Sequence, residues 1–183
     1  MTATILLLPG LYGSGPGHWQ SLWEASLPQA RRVQQRDWNA PLRAEWVAQL
    51  DAAVRAASGP VVFAAHSLGC ATAVWWAAMH GAEAHARQVA GALLVAPPDV
   101  ERPEAPAAVR GFGPMPLAPL PFPSIAVASS DDPWCALPRA RAWAEGWGAQ
   151  WQELGARGHL NADSGLGDWP QGQRWLNQLA ANE

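Results

Sequence analysis

Six short apolar runs alternate with segments of helical character along this chain of 183 residues, and this alternation narrows the fold more than any other feature. The runs are "TILLLP" (4–9), "RRVQQ" (31–35), "PVVFAA" (60–65), "GALLVA" (91–96), "SIAVAS" (124–129) and "AQWQEL" (149–154). Four are near-continuous apolar stretches, the pattern of parallel strands covered on both faces. The second and sixth are more polar and suit the periphery. Helices are expected near 17–27, 42–57, 68–80, 138–147 and 170–181. In the second of these, Leu42, Trp46, Leu50 and Val54 recur every four residues and define one face. Pro41 precedes it and Gly59 follows it; Pro138 and Pro170 suit first turns. Strand–helix alternation implies an α/β sandwich: a six-stranded parallel sheet with right-handed crossovers and helices on both faces.

The length supports one core and hence a single domain over 1–183. All basic residues are Arg, and beyond Arg31, Arg32 and Arg36 they do not cluster, so no nucleic-acid footprint is present. The opening "MTATILLLPG" has no positively charged n-region and its apolar run stops at Pro9. It reads as a buried first strand rather than a signal peptide or membrane span, and the expected location is the cytoplasm. Cys70 and Cys135 do not make a disulfide framework. The twelve tryptophans are expected to fill the core and its rim, each N–H finding an acceptor.

The stretch 97–123, "PPDVERPEAPAAVRGFGPMPLAPLPFP", breaks the alternation with prolines. Two readings stand: a surface connection of polyproline character, or a short cover over the end of the sheet.

Chemistry concentrates first at "AHSLG", 65–69, a variant of the G-x-S-x-G nucleophile elbow with Ala65 at the first glycine. Such a serine sits on a strand-to-helix turn tight enough to push its hydroxyl clear of the sheet. Residues two before and two after must be small so that strand and helix cross closely. The same turn puts the Leu68 N–H at a helix N-terminus, where it is unpaired and favours negative charge.

A triad on this kind of fold continues in the order Ser, acid, His. "SSDDPWC" (129–135) places Asp131 and Asp132 after the fifth strand, and "GARGHLN" (155–161) places His159 after the sixth. Each lies at a strand carboxyl end, where open α/β sheets bind ligands. Asp132, which precedes Pro133, is the preferred acid; Asp131 is the alternative. Of the other histidines, His66 reads as packing beside Ser67, His18 lies at a helix start near the site, and His80 and His85 read as exposed. The glycine-rich "LPGLYGSGPGHW" (8–19) ends the first strand. In a sheet of order 2-1-3-4-5-6, Gly10 and Leu11 come beside Ser67, and the N–H of Leu11, with that of Tyr12 as the alternative, is expected to face a developing oxyanion. This loop is no nucleotide cradle: the chain has no Lys for a P-loop, and G-x-G-x-x-G is unmatched. No His, Cys and carboxylate spacing matches a metal site, so neither metal nor cofactor is expected.

"LLPGLYGSGPGHWQSLWE", "AHSLGCA", "LPFPSIAVASSDDPWC" and "GARGHLNADSGLGDWPQG" together resemble the small α/β-hydrolases of the retinoblastoma-binding-protein-nine and YdeN type. They span nearly the whole chain in order. The resemblance implies a serine hydrolase without a large lid domain, with Ser67, Asp132 and His159 as triad. Ala65 departs from the elbow pattern. The expected activity is cleavage of small acyl esters through an acyl-enzyme, with Leu11, Tyr12, Phe112, Met115 and Trp134 as pocket walls and His18, His66 and Asn161 nearby. A thioesterase or peptidase on the same triad, a non-catalytic binding module on a hydrolase scaffold, and a cysteine hydrolase built on Cys70 are the alternatives.

Overall fold

The computed structural model describes residues 3–181. Six parallel strands form one sheet in the order β2-β1-β3-β4-β5-β6: β1 (Thr4–Leu8), β2 (Ala30–Arg32), β3 (Val61–His66), β4 (Val89–Val95), β5 (Ser124–Ala128) and β6 (Gln150–Glu153). The helices are α1 (Trp19–Ser26), α2 (Arg43–Ala56), α3 (Leu68–His80), α4 (Leu137–Trp147) and α5 (Pro170–Ala180). Short 3-10 turns lie at Ala84–Gln88, Ala107–Phe112 and Ala162–Ser164.

Successive side chains of a strand point to opposite faces, and the central strands sort their apolar residues accordingly. Leu6, Leu8, Phe63, Ala65, Ala92 and Leu94 join the core beneath α2, α3 and α4. Ile5, Leu7, Val62, Ala64, Leu93 and Val95 join the core beneath α1 and α5. Both faces are therefore apolar, which is why these strands read as continuous runs. Burial of a large aliphatic side chain such as Leu7 or Leu93 contributes about 1.5–3 kcal/mol.

The edges depart from the sequence reading. β2 is Ala30–Arg32 rather than 31–35. Ala30 supplies the buried residue that pairs with Ile5, Val33 makes one last bond to the Leu7 carbonyl, and the polar Gln34 and Gln35 leave the sheet. β4 begins at Val89 because Val89 pairs with Val61. α1 starts at Trp19 rather than 17: His18 is its N-cap, its Nδ1 accepting from the Gln20 N–H.

Six tryptophans (Trp19, Trp23, Trp46, Trp76, Trp143 and Trp147) are essentially inaccessible. Several fasten loops through their N–H: Trp19 to the Leu160 carbonyl, Trp23 to Asp168 and Trp147 to Pro116. Among the described residues, no helix is long and apolar enough to cross a membrane.

Candidate active site

Parallel order brings the carboxyl ends of β1, β3, β5 and β6 to one edge of the sheet, and the loops leaving them carry the candidate residues. At the end of β3 the chain turns directly into α3 through Ser67, whose φ of 53° and ψ of −124° lie outside the regions comfortable for an L-residue. Two glycines make room for that turn. A Cβ on Gly69 would overlap the Leu8 carbonyl oxygen, so α3 crosses the end of β1 only with glycine there. A Cβ on Gly10 would stand 2.7 Å from the Ser67 Cβ. Ala65, where the elbow pattern has glycine, is wholly buried in the α2–α3 core, and its methyl is accommodated beside Leu8 and Leu94.

The Ser67 Oγ lies 2.8 Å from His159 Nε2. On the far side of the ring, His159 Nδ1 lies 2.9 Å from each carboxylate oxygen of Asp132. Asp132 accepts at Nδ1, so Nε2 is left as the acceptor for the serine hydroxyl. The Asp132 side chain is only 3% exposed and is held by a further bond from the Trp134 N–H. Asp131 points elsewhere. Its Oδ1 accepts from Ser129 Oγ and from the Gly158 N–H, both at 2.7 Å, tying the β5–α4 loop to the loop that bears His159. These bonds hold its carboxyl below the usual range.

Two further rings steady the histidine loop. His66 is buried, and its Nε2 donates to the His159 carbonyl at 2.8 Å. Trp19 holds the next carbonyl, that of Leu160. Burial drives His66 well below its ordinary pKa and takes His18 down to about 4, the latter helped by Arg32 and His159. Both are neutral near pH 7. Fully buried Gln20 bridges the ends of β1 and β3, donating to the Leu8 and Ala64 carbonyls at 3.0 and 2.8 Å. Sequence reasoning passed over Gln20; the signal was a polar residue on the apolar face of "HWQSLW".

The Leu68 N–H stands at the first position of α3, where no intrahelical acceptor exists. Among the described residues, the Leu11 N–H also has no hydrogen-bond acceptor. Tyr12 is different: its N–H donates to the Trp38 carbonyl at 2.8 Å, which removes it as the alternative to Leu11.

Ser67 opens into a cleft of about 300 Å³. Gly10, Leu11, Tyr12, His18, His66, Trp134 and Asn161 line it, as do residues of the 97–123 segment: Pro98, Asp99, Arg102, Ala105, Pro106 and Val109. That segment forms one wall. Phe112 and Met115 do not line the cleft. Both are buried in the core, Phe112 edge-on to Trp46, because the 3-10 turn at 107–112 folds its aromatic inward and presents Val109 to the cleft, next to Ala105 and Pro106 from the chain just before it. Arg102 was not foreseen; it lies across the Trp134 ring and donates to the Pro133 carbonyl. His80 and His85 are not exposed as expected but packed around Asp51. Cys70 is buried, its thiol bonded to the Val95 carbonyl and pushed up by burial, which leaves it no role as nucleophile.

A serine on a strained strand–helix turn, bonded through histidine to a buried carboxylate at the carboxyl edge of a parallel sheet, is the arrangement of an α/β-hydrolase. The chain belongs to the Serine hydrolase family, whose model matches residues 5–178. It is a small hydrolase of the YdeN type: a YdeN-like hydrolase of Pectobacterium atrosepticum is 32% identical, with a TM-score of 0.85 over 98% of this chain and 91% of that one. The ydeN gene product of B. subtilis is 17% identical, with a TM-score of 0.74 over 97% and 98% of the two chains. An esterase of Thermogutta terrifontis shares the fold at 18% identity and a TM-score of 0.65, over 98% and 92%. No curated protein matches the sequence.

Proposed function

We propose that this hydrolase cleaves small acyl esters, with Ser67 as nucleophile, His159 as general base and acid, and Asp132 as the group that orients the imidazole. The observation that carries the reading is the unbroken hydrogen-bonded line from Asp132 through His159 to Ser67, ending in the cleft. His159 Nε2 takes the hydroxyl proton as Ser67 Oγ bonds to the acyl carbon, and Asp132 stabilises the imidazolium. The N–H groups of Leu11 and Leu68 receive the oxyanion, worth about 3–4 kcal/mol per donor in comparable sites. The imidazolium returns its proton to the departing alkoxide. Water, deprotonated by the same nitrogen, then attacks the acyl-enzyme and releases the acid, and Ser67 recovers its proton.

The size of the cleft and its apolar lining from Leu11, Val109 and Trp134 support short acyl groups over long ones. The test is a panel of p-nitrophenyl esters of increasing chain length, acyl thioesters and aminoacyl amides. Short esters should give the highest kcat/KM. A preference for thioesters or amides would move the assignment to those bonds, and no turnover of any of them would favour a non-catalytic binding role.

A further inference from the structure

At the opposite end of α3 from Ser67, about 20 Å away along the thirteen-residue helix, three elements turn side chains toward one point. Asp51 comes from α2, His80 from the last turn of α3 and His85 from the 3-10 turn before β4. His85 Nε2 lies 2.7 Å from Asp51 Oδ1, and His80 Nδ1 lies 3.7 Å from the same oxygen. One ligating atom from each of the three falls within 4.8 Å of the others, a spacing that one ion can span. We propose that Asp51, His80 and His85 form a binding site for a divalent transition-metal ion of the zinc type, separate from the hydrolase centre.

The groups around the three support this role. Metal-ligating imidazoles commonly turn their other nitrogen to a carboxylate. Glu83 Oε2 stands 3.5 Å from His85 Nδ1, and Glu83 Oε1 stands 2.9 Å from His80 Nδ1, within reach of a metal as a fourth donor. Arg55 holds the outer oxygens, Asp51 Oδ2 and Glu83 Oε2, at 2.7 Å each and leaves Oδ1 turned inward. Trp76 packs edge-on to His85 and donates to Asp51 Oδ1 at 3.0 Å, fixing that carboxylate. The Arg55 charge weakens purely electrostatic attraction. Selection then falls to the two nitrogen donors, which favour Zn²⁺, Co²⁺ or Ni²⁺ over Ca²⁺ and Mg²⁺. His80, Glu83 and His85 stand within six residues of one another in the chain, but Asp51 comes from α2 and joins them only by tertiary packing. A bound ion would tie α2, the end of α3 and the approach to β4 together, stabilising the folded chain by mass action.

The test titrates tag-free, chelator-treated protein with Zn²⁺ and Co²⁺ by calorimetry, visible absorption and thermal unfolding. One ion per chain should bind, raise Tm and give a cobalt spectrum of nitrogen and oxygen ligation, while Mg²⁺ does neither. His80→Asn with His85→Gln retains polar partners for Asp51 and should abolish all three signals. His159→Ala should retain them, which separates this site from the catalytic histidine. Absence of stoichiometric binding, persistence of binding in the His80→Asn/His85→Gln protein, or its loss in His159→Ala would each overturn the assignment.

Discussion

Replacing His18 by Asn tests how burial couples the site to pH. His18 is 4% exposed, and its Nδ1 accepts from the Gln20 N–H at the start of α1. Asn is an equally good N-cap, so the substitution removes the titrating ring while supplying a cap acceptor. In the folded chain the imidazole is lowered from 6.5 to about 4, chiefly by burial and then by Arg32 and His159. A group whose folded pKa lies below its unfolded one binds its proton first in the unfolded chain. Stability is therefore undiminished above pH 6.5 and falls as pH drops toward 4. At about 1.4 kcal/mol per pH unit, this loss amounts to about 3 kcal/mol. Urea unfolding of the wild type and His18→Asn at a series of pH values between 7 and 4 isolates this part, since carboxylates elsewhere titrate alike in both. The difference in unfolding free energy between wild type and variant should shift by about 3 kcal/mol against the wild type across the range. Parallel curves would show that His18 titrates normally and that its burial is not what sets its charge.

Three other outcomes follow from the site. Asp132→Asn should lower kcat by about 10⁴-fold, the cost of losing the group that sets the histidine tautomer. Asp131→Asn should leave kcat within about tenfold of wild type, because Asp131 braces loops rather than the imidazole; equal losses in steady-state assays of the two variants would refute that division. Burial raises the thiols of both cysteines, that of Cys135 to about 12, so the native chain should react with Ellman's reagent only on unfolding. Rapid titration of either thiol in the native protein would contradict their placement.

The sheet was legible because Leu6, Phe63, Leu94 and their neighbours are buried on both faces, and a strand covered on both sides has few alternatives to an apolar run. β2 was less so: an edge strand needs no apolar pattern, and Gln34 and Gln35 resembled it only by adjacency. Ser67 and His159 stand at strand ends, and the order of the chain alone brings them to one edge. The choice between Asp131 and Asp132 rests on which way two successive side chains leave a turn, which composition does not encode. Phe112 was misplaced for a related reason. In a proline-rich segment no periodicity tells inward from outward, and only the packing against Trp46 decides it. Arg102 escaped notice in the same segment. His80 and His85 sit near a helix end, where exposure is the usual outcome, and it was Asp51, about thirty residues away, that drew them in.

The central claim is that Ser67 is an activated nucleophile. Intact-mass analysis after incubation with a fluorophosphonate measures it directly. The wild-type chain should gain one adduct, mapped to the peptide bearing Ser67, with loss of activity in proportion. Ser67→Ala, with an unchanged far-ultraviolet circular dichroism spectrum, should gain none. An adduct on the Ser67→Ala protein at the wild-type rate, or a wild-type chain that stays unmodified, would contradict the account.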